Sequence, residues 1–218
     1  MATGVENRPY SRQSSLESSA NHTKVPLYKV VFAGFRGVGK TSLFLRIRDE
    51  KFYGKESRDM TPDICVKEVV VAETGEMVKI QFWDTAGMDE RHTLTRSHYV
   101  GSAVVLYVYS SDDMNSADEL KWYLIDASQH AAGAKRIFIR SKCDLDEQST
   151  NKDEIMNKFD KQGYAVLGTI DTSSKTGDGV EHLLQTVAKY LVNHAKPIKK
   201  EDKFKDYYNP PTPKPTCC

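Results

Sequence analysis

Apolar residues fall along this chain in short, regularly spaced runs. Leu27-Tyr28-Lys29-Val30-Val31-Phe32 is β-rich and leads into Ala33-Gly34. After several glycines, Lys40-Thr41-Ser42-Leu43-Phe44-Leu45-Arg46-Ile47 reads as a helix. Two further strands, about Ile64 to Ala72 and Met77 to Trp83, flank Glu73-Thr74-Gly75-Glu76, whose Thr-Gly pair suits a tight antiparallel hairpin. Strands then alternate with helices. Val104 to Val108 precedes a helix from about Ser116 to Ala131, Arg136 to Ile139 precedes one near Lys152 to Lys161, and Ala165 to Leu167 precedes one near Val180 to His194. This alternation predicts an α/β fold: a mainly parallel six-stranded sheet with amphipathic helices on both faces.

The ends read differently. Residues 1–24 are polar, with five serines between Ser11 and Ser19, and offer too few apolar groups to offset the entropy of ordering them. From Pro197 onward, five of the chain's eight prolines fall in a lysine-containing tail that suits neither helix nor core. The organisation is therefore a disordered extension over 1–24, one domain over 25–196 and a flexible tail over 197–218. A single core of that size needs no staples.

Charge changes the picture little. The 31 basic and 30 acidic residues nearly cancel, and no basic surplus points to nucleic acid. Cys65, Cys143, Cys217 and Cys218 lack metal-ligand spacing, which argues for a reduced, intracellular chain. Nothing approaches the ~20 apolar residues of a membrane span, and no apolar run near the start suits a signal sequence.

Candidate chemistry begins at Gly34-Phe35-Arg36-Gly37-Val38-Gly39-Lys40-Thr41, which matches the Walker A pattern in its strand-to-helix setting. Glycines let successive N–H groups face a polyphosphate at a helix N-terminus. Lys40 would reach the β- and γ-phosphates, Thr41 Oγ a Mg²⁺ ion, and Ser42 continues the loop. The loop alone leaves kinases, ATPases and GTPases open. Trp83-Asp84-Thr85-Ala86-Gly87 after a strand, Ser141-Lys142-Cys143-Asp144 after another and Thr172-Ser173-Ser174-Lys175 after a third then follow in order.

With these elements the chain resembles the Rab-type small GTPases of the Ras superfamily, over about Tyr28 to Val192 and again at the last two residues. The resemblance implies a P-loop NTPase fold and a guanine-nucleotide switch of vesicle trafficking that binds GTP or GDP with Mg²⁺. It implies that Asp84 holds Mg²⁺ through water, that the Gly87 N–H senses the γ-phosphate, and that Thr61 reaches both only in the triphosphate state. Phe52, or Tyr53 beside it, would cover the base, and Lys142, Ser173, Ser174 and Lys175 would line it. Asp144 would read guanine, since its two oxygens can accept from N1–H and the N2 amino group. The implied partners are effectors of the GTP state, an exchange factor, prenylation machinery and a prenyl-binding chaperone, for a monomer on the cytoplasmic face of an intracellular membrane with a cytosolic pool. Terminal Cys217-Cys218 resembles the doubly geranylgeranylated Rab end, and two lipids anchor where one does not.

Three positions depart from the family pattern. Met88 stands where hydrolysing relatives carry the glutamine that orients water, and a thioether cannot do so. Arg36 is bulky where the loop is usually small, which tends to exclude an activator's arginine finger. Ser141 replaces the asparagine that ties the base loop to the phosphate loop, and weaker nucleotide binding is expected. Slow GTP hydrolysis follows as the expectation. The alternatives are a nearly non-hydrolysing GTP-bound scaffold and, in third place, a phosphate-loop kinase, which would leave the Trp83–Gly87 element and the terminal cysteines unexplained.

Overall fold

A computed structural model of the chain describes residues 25–54, 64–85 and 96–198. Its strands are β1 (Leu27–Ala33), β2 (Ile64–Val70), β3 (Met77–Trp83), β4 (Ser102–Ser110), β5 (Lys135–Ser141) and β6 (Val166–Asp171). They form one six-stranded sheet in the order β2-β3-β1-β4-β5-β6, in which only the β2–β3 pair is antiparallel. The helices are α1 (Lys40–Asp49), α2 (Arg96–Tyr99), α3 (Met114–Asp118), α4 (Leu120–His130), α5 (Lys152–Lys161) and α6 (Val180–His194). The mainly parallel α/β architecture expected from the alternation of runs is the one observed.

Period-two alternation along the central strands divides the core between the two faces of the sheet. Val104, Leu106 and Val108 of β4 join Leu43 and Ile47 of α1 and Leu183, Val187 and Leu191 of α6 in one cluster. Val105, Tyr107 and Tyr109 turn to the other side, against Leu120 and Leu124 of α4 and Ile155 and Phe159 of α5. Each layer holds an edge-to-face aromatic pair: Phe32 with Phe44 at 6.5 Å, and Phe138 with Phe159 at 5.2 Å between ring centroids. Burial on both faces is why β4 reads as an unbroken apolar run. The edge strand β2 alternates instead, and leaves Ile64, Val66 and Val70 exposed.

The hairpin closes as its sequence suggests. Gly75 adopts φ 72° and its N–H donates to Val71 O at 2.8 Å, while the Val71 N–H donates to Glu76 O at 2.9 Å. Val71 and Ala72 thereby belong to the turn rather than to β2.

Other boundaries move for identifiable reasons. The helix expected over 116–131 is two segments. The Asp113 side chain accepts from the Asn115 N–H at 3.0 Å and starts α3 two residues early, and the chain tightens at Glu119, where the Trp122 N–H reaches back only three residues, to Glu119 O at 3.1 Å. Strands β5 and β6 run past their apolar residues because ladder pairing carries them on, Ser110 opposite Ser141 and Arg140 opposite Asp171. A bidentate ion pair from Arg140 to Asp171, both contacts at 3.0 Å, fixes that end of the β5–β6 pair.

Candidate nucleotide site

Parallel strands deliver their C-terminal ends to one side of the sheet, where open α/β folds bind ligands. The loop after β1 curls tightly there. Gly34 takes φ +146°, and a Cβ at that position would lie 2.2 Å from Val108 O on the neighbouring strand. Gly34→Ala should therefore lower the melting temperature by more than ~6 °C. Gly75→Ala, where an added Cβ meets open space, should lower it by only ~2–4 °C, both read by thermal unfolding without added nucleotide.

Lys40 is buried at the start of α1, and its Nζ donates to Gly34 O at 2.8 Å and Phe35 O at 3.0 Å, inside the curl of the loop. The N-cap of α1 is Gly39 in a left-handed conformation, which brings no side-chain acceptor to the first-turn amides. Thr41 and Ser42 follow on that turn; Gly37 is exposed in the loop, while the Val38 side chain is buried in the core. A glycine-capped helix start with a lysine at its centre suits a polyphosphate. Arg36 is exposed on the loop's outer edge, its guanidinium 6.0 Å from the Phe35 ring centroid.

Asp84 comes off the end of β3 beside this loop, since Val31 of β1 pairs with Trp83. The Thr85 hydroxyl, donating to Phe32 O at 3.0 Å, holds that junction against β1. The Asp84 carboxylate is only 5 % exposed, a placement suited to a cation held beside the phosphates. Thr61, Gly87 and Met88 lie outside the described residues, as do Cys217 and Cys218.

On the other side, the loop after β5 carries a strained residue. Lys142 has φ 59°, unusual for a side chain with a Cβ, and is held there by the Ser111 hydroxyl donating to Lys142 O at 2.9 Å and by the Leu145 N–H at 3.1 Å. Its Nζ lies 3.4 Å from Asp112 Oδ1. Asp144 accepts the Ser173 hydroxyl on Oδ1 at 2.6 Å, and Lys175 Nζ stands 3.7 Å from Oδ2. The carboxylate is thus oriented from behind by the loop after β6, while the Cys143 N–H, donating to Thr172 O at 3.2 Å, joins the two loops.

Ser141 behaves unlike the sequence expectation. Its buried hydroxyl lies within hydrogen-bonding reach of Val38 O and of Tyr109 O, the latter at 3.0 Å. The tie between base loop and phosphate loop, expected to be lost without asparagine, is present and is made by the shorter side chain. The close approach of the loops makes this possible: a Cβ on Gly39 would come within 3.8 Å of Ser141 Oγ.

The two aromatic candidates also separate. Tyr53 packs against the core and its hydroxyl donates to Asp49 Oδ2 at 3.1 Å, whereas Phe52 is 39 % exposed. Of the pair, Phe52 is the ring available to a ligand.

Arg46 carries a role that its sequence context does not announce. From α1 it donates to Ser174 O at 2.7 Å and Lys175 O at 2.6 Å, clamping the phosphate-loop helix to the loop after β6. Its only sequence signal is a cation in the last turn of a helix, which the helix dipole explains without it. Ser111, which holds Lys142, carried no signal at all.

Comparison with known proteins agrees with this geometry. A profile described as the Ras family matches residues 29–193. "Ras-related protein Rab-1C" of Dictyostelium discoideum is 29% identical over 171 residues, 77% of this chain and 83% of that protein. "Ras-related protein RIC1" of Oryza sativa subsp. japonica is 31% identical over 169 residues, 77% and 81% of the two chains. "Ras-related protein RABD2c" of Arabidopsis thaliana is 31% identical over 157 residues, 71% and 75%. The phosphate loop, the carboxylate after β3 and the oriented carboxylate after β5 thus sit on a matching chain, which belongs to the Ras family as a divergent, Rab-type small GTPase, a guanine-nucleotide-binding GTP hydrolase.

Proposed function

We propose that this chain is a membrane-anchored switch of vesicle trafficking that hydrolyses GTP slowly and spends most of its time in the triphosphate state. The observation that carries the reading is the pairing of a built phosphate loop with a guanine-type carboxylate: Lys40 Nζ sits 2.8 Å from Gly34 O, and Asp144 is oriented by Ser173 at 2.6 Å.

Loop amides of residues 37–41 and the Lys40 ammonium bind the β- and γ-phosphates. Thr41, Thr61 and, through water, Asp84 would hold a Mg²⁺ ion, which would supply positive charge beside the phosphates. Phe52 covers the base, Lys142 packs its stem along it, and Asp144 accepts its N1–H and amino group. Met88 leaves the attacking water without an orienting amide, and the exposed Arg36 obstructs the approach of an external arginine. Effectors of the GTP state and an exchange factor are the partners this cycle requires.

Cys217 and Cys218 carry two prenyl groups, attached by prenylation machinery and shielded in the cytosol by a prenyl-binding chaperone. Among the described residues no helix is long and apolar enough to cross a membrane. Geometry favours an anchor on the tail. After α6 the Ile198 N–H donates to Leu27 O at 2.7 Å, at the start of β1. The tail therefore departs from the end of the strand opposite the phosphate loop, ~20 Å away for seven residues at ~3.3 Å each. The double variant Cys217→Ser, Cys218→Ser is expected to move from the membrane pellet to the soluble fraction on cell fractionation, and its persistence in the pellet would remove the lipid argument.

Nucleotide extracted from the freshly purified protein tests the central reading. GTP should exceed GDP. Adenine nucleotides in its place would overturn guanine recognition, and GDP alone would overturn the slow cycle.

A further inference from the structure

Lys29 is fully buried in the middle of β1, and nothing in the nucleotide chemistry above uses it. Its Nζ donates to Ser97 O at 3.1 Å and Val100 O at 3.0 Å, and lies 3.9 Å from the centroid of the Trp83 ring. These contacts fall on both sides of one segment. Trp83 is the residue before Asp84, at the exit from β3, whereas Ser97 and Val100 belong to α2 and the turn that follows it. One ammonium therefore grips the chain where it leaves the sheet towards Gly87 and where it returns.

The chemistry of the grip is specific. Hydrogen bonds from an ammonium to carbonyl oxygens are charge-assisted and stronger than neutral ones. A ring face adds an attraction that grows as water is excluded. Burial opposes both, and this desolvation cost pushes the Lys29 pKa down to about 7; protonated or neutral, the amine still carries hydrogens for two carbonyls. A leucine or methionine would fill the same volume without that cost. What neither could do is satisfy two backbone carbonyls at once.

We infer that Lys29 is a positioning residue of the switch: it holds the C-terminal end of α2 to β1 and β3, so that residues 97–103 keep one conformation whichever nucleotide is bound. The inference rests on the switch reading proposed above and adds to it a boundary and the side chain that sets it. Strand β4 begins at Ser102, directly after the gripped turn, so the boundary also keeps the change from propagating into the central sheet.

Hydrogen–deuterium exchange on the full chain, loaded with GDP or with a non-hydrolysable GTP analogue, tests this. In the wild type the peptide spanning residues 97–103 should exchange alike, within twofold, in the two states. In Lys29→Met the same peptide should exchange at least tenfold faster and become nucleotide-dependent. A spectroscopic reading accompanies it, because Trp83 and Trp122 are the chain's only tryptophans. In a Trp122→Phe background the remaining emission comes from the ring beneath Lys29, and Lys29→Met should change its intensity. The inference fails if peptide 97–103 differs between nucleotide states in the wild type, or if a folded, loaded Lys29→Met protein protects it as the wild type does. Should Lys29→Met not fold, Lys29→Gln is compared with the wild type in its place. A chain that takes up no guanine nucleotide defeats the switch reading instead, and exchange in the purified wild type against Lys29→Met then still reads the grip.

Discussion

Asp144→Asn is expected to lower affinity for GDP and GTP by ~10²–10⁴-fold and to raise affinity for xanthosine diphosphate. The carboxylate offers two acceptors, matched to the two donors on the guanine edge. A hydrogen bond to a charged group is worth ~1.5–3 kcal/mol, so losing the charge and inverting one partner removes on the order of 3–6 kcal/mol. The orientation of the amide follows from what stands behind it. The Ser173 hydroxyl donates to Oδ1 at 2.6 Å, so the asparagine oxygen is drawn to that side and its amino group takes the other. A base with N–H at position 1 and a carbonyl oxygen at position 2 complements that pattern, and xanthine is such a base. Competition of labelled GDP by guanine, xanthine and adenine nucleotides reads all three affinities. Unchanged GDP binding in Asp144→Asn would mean that base choice is made elsewhere.

Much of this arrangement is legible in the sequence, and for physical reasons. Buried parallel strands must be continuously apolar, and Val104 to Val108 announces itself as such a strand. A phosphate loop must be glycine-rich between strand and helix, and residues 34–41 satisfy that locally. What escaped is whatever depends on distant parts of the chain. Arg46 meets a loop 128 and 129 residues away, and Lys29 meets carbonyls 68 and 71 residues away. A lysine inside an apolar strand reads as an imperfection in the pattern until its partners are in view. Ser141 misled for the same reason: a side chain too short for its usual role says nothing about how closely the neighbouring loop approaches. The split of the expected 116–131 helix was in part readable, since Asp113 is a good cap, but the tight turn at Glu119 has no sequence cue that we can identify.

Restoring both altered positions, in the double variant Met88→Gln, Arg36→Gly, should raise single-turnover GTP hydrolysis by at least ~10-fold over the wild type. Each ~1.4 kcal/mol of transition-state stabilisation is a factor of ten, and an amide that orients water supplies a contact that a thioether cannot. Addition of an arginine-supplying activator should widen the gap further, since such a finger contributes ~10³–10⁵ where it can enter. The Ser141 contact sharpens what this experiment means. Had the base loop come loose from the phosphate loop, rapid release and recharging from abundant cellular GTP could have filled the triphosphate state without any defect in chemistry. The Ser141 hydroxyl within reach of Val38 O weakens the structural cause for that route and favours slow hydrolysis as the source of a GTP-rich resting state. Two measurements on the wild type separate the routes: the rate of GDP release should be ordinary for a tied pocket, and the single-turnover rate should be low. A wild type that hydrolyses as fast as the double variant would show Met88 and Arg36 to be neutral, and ordinary cycling would then replace the slow switch proposed here.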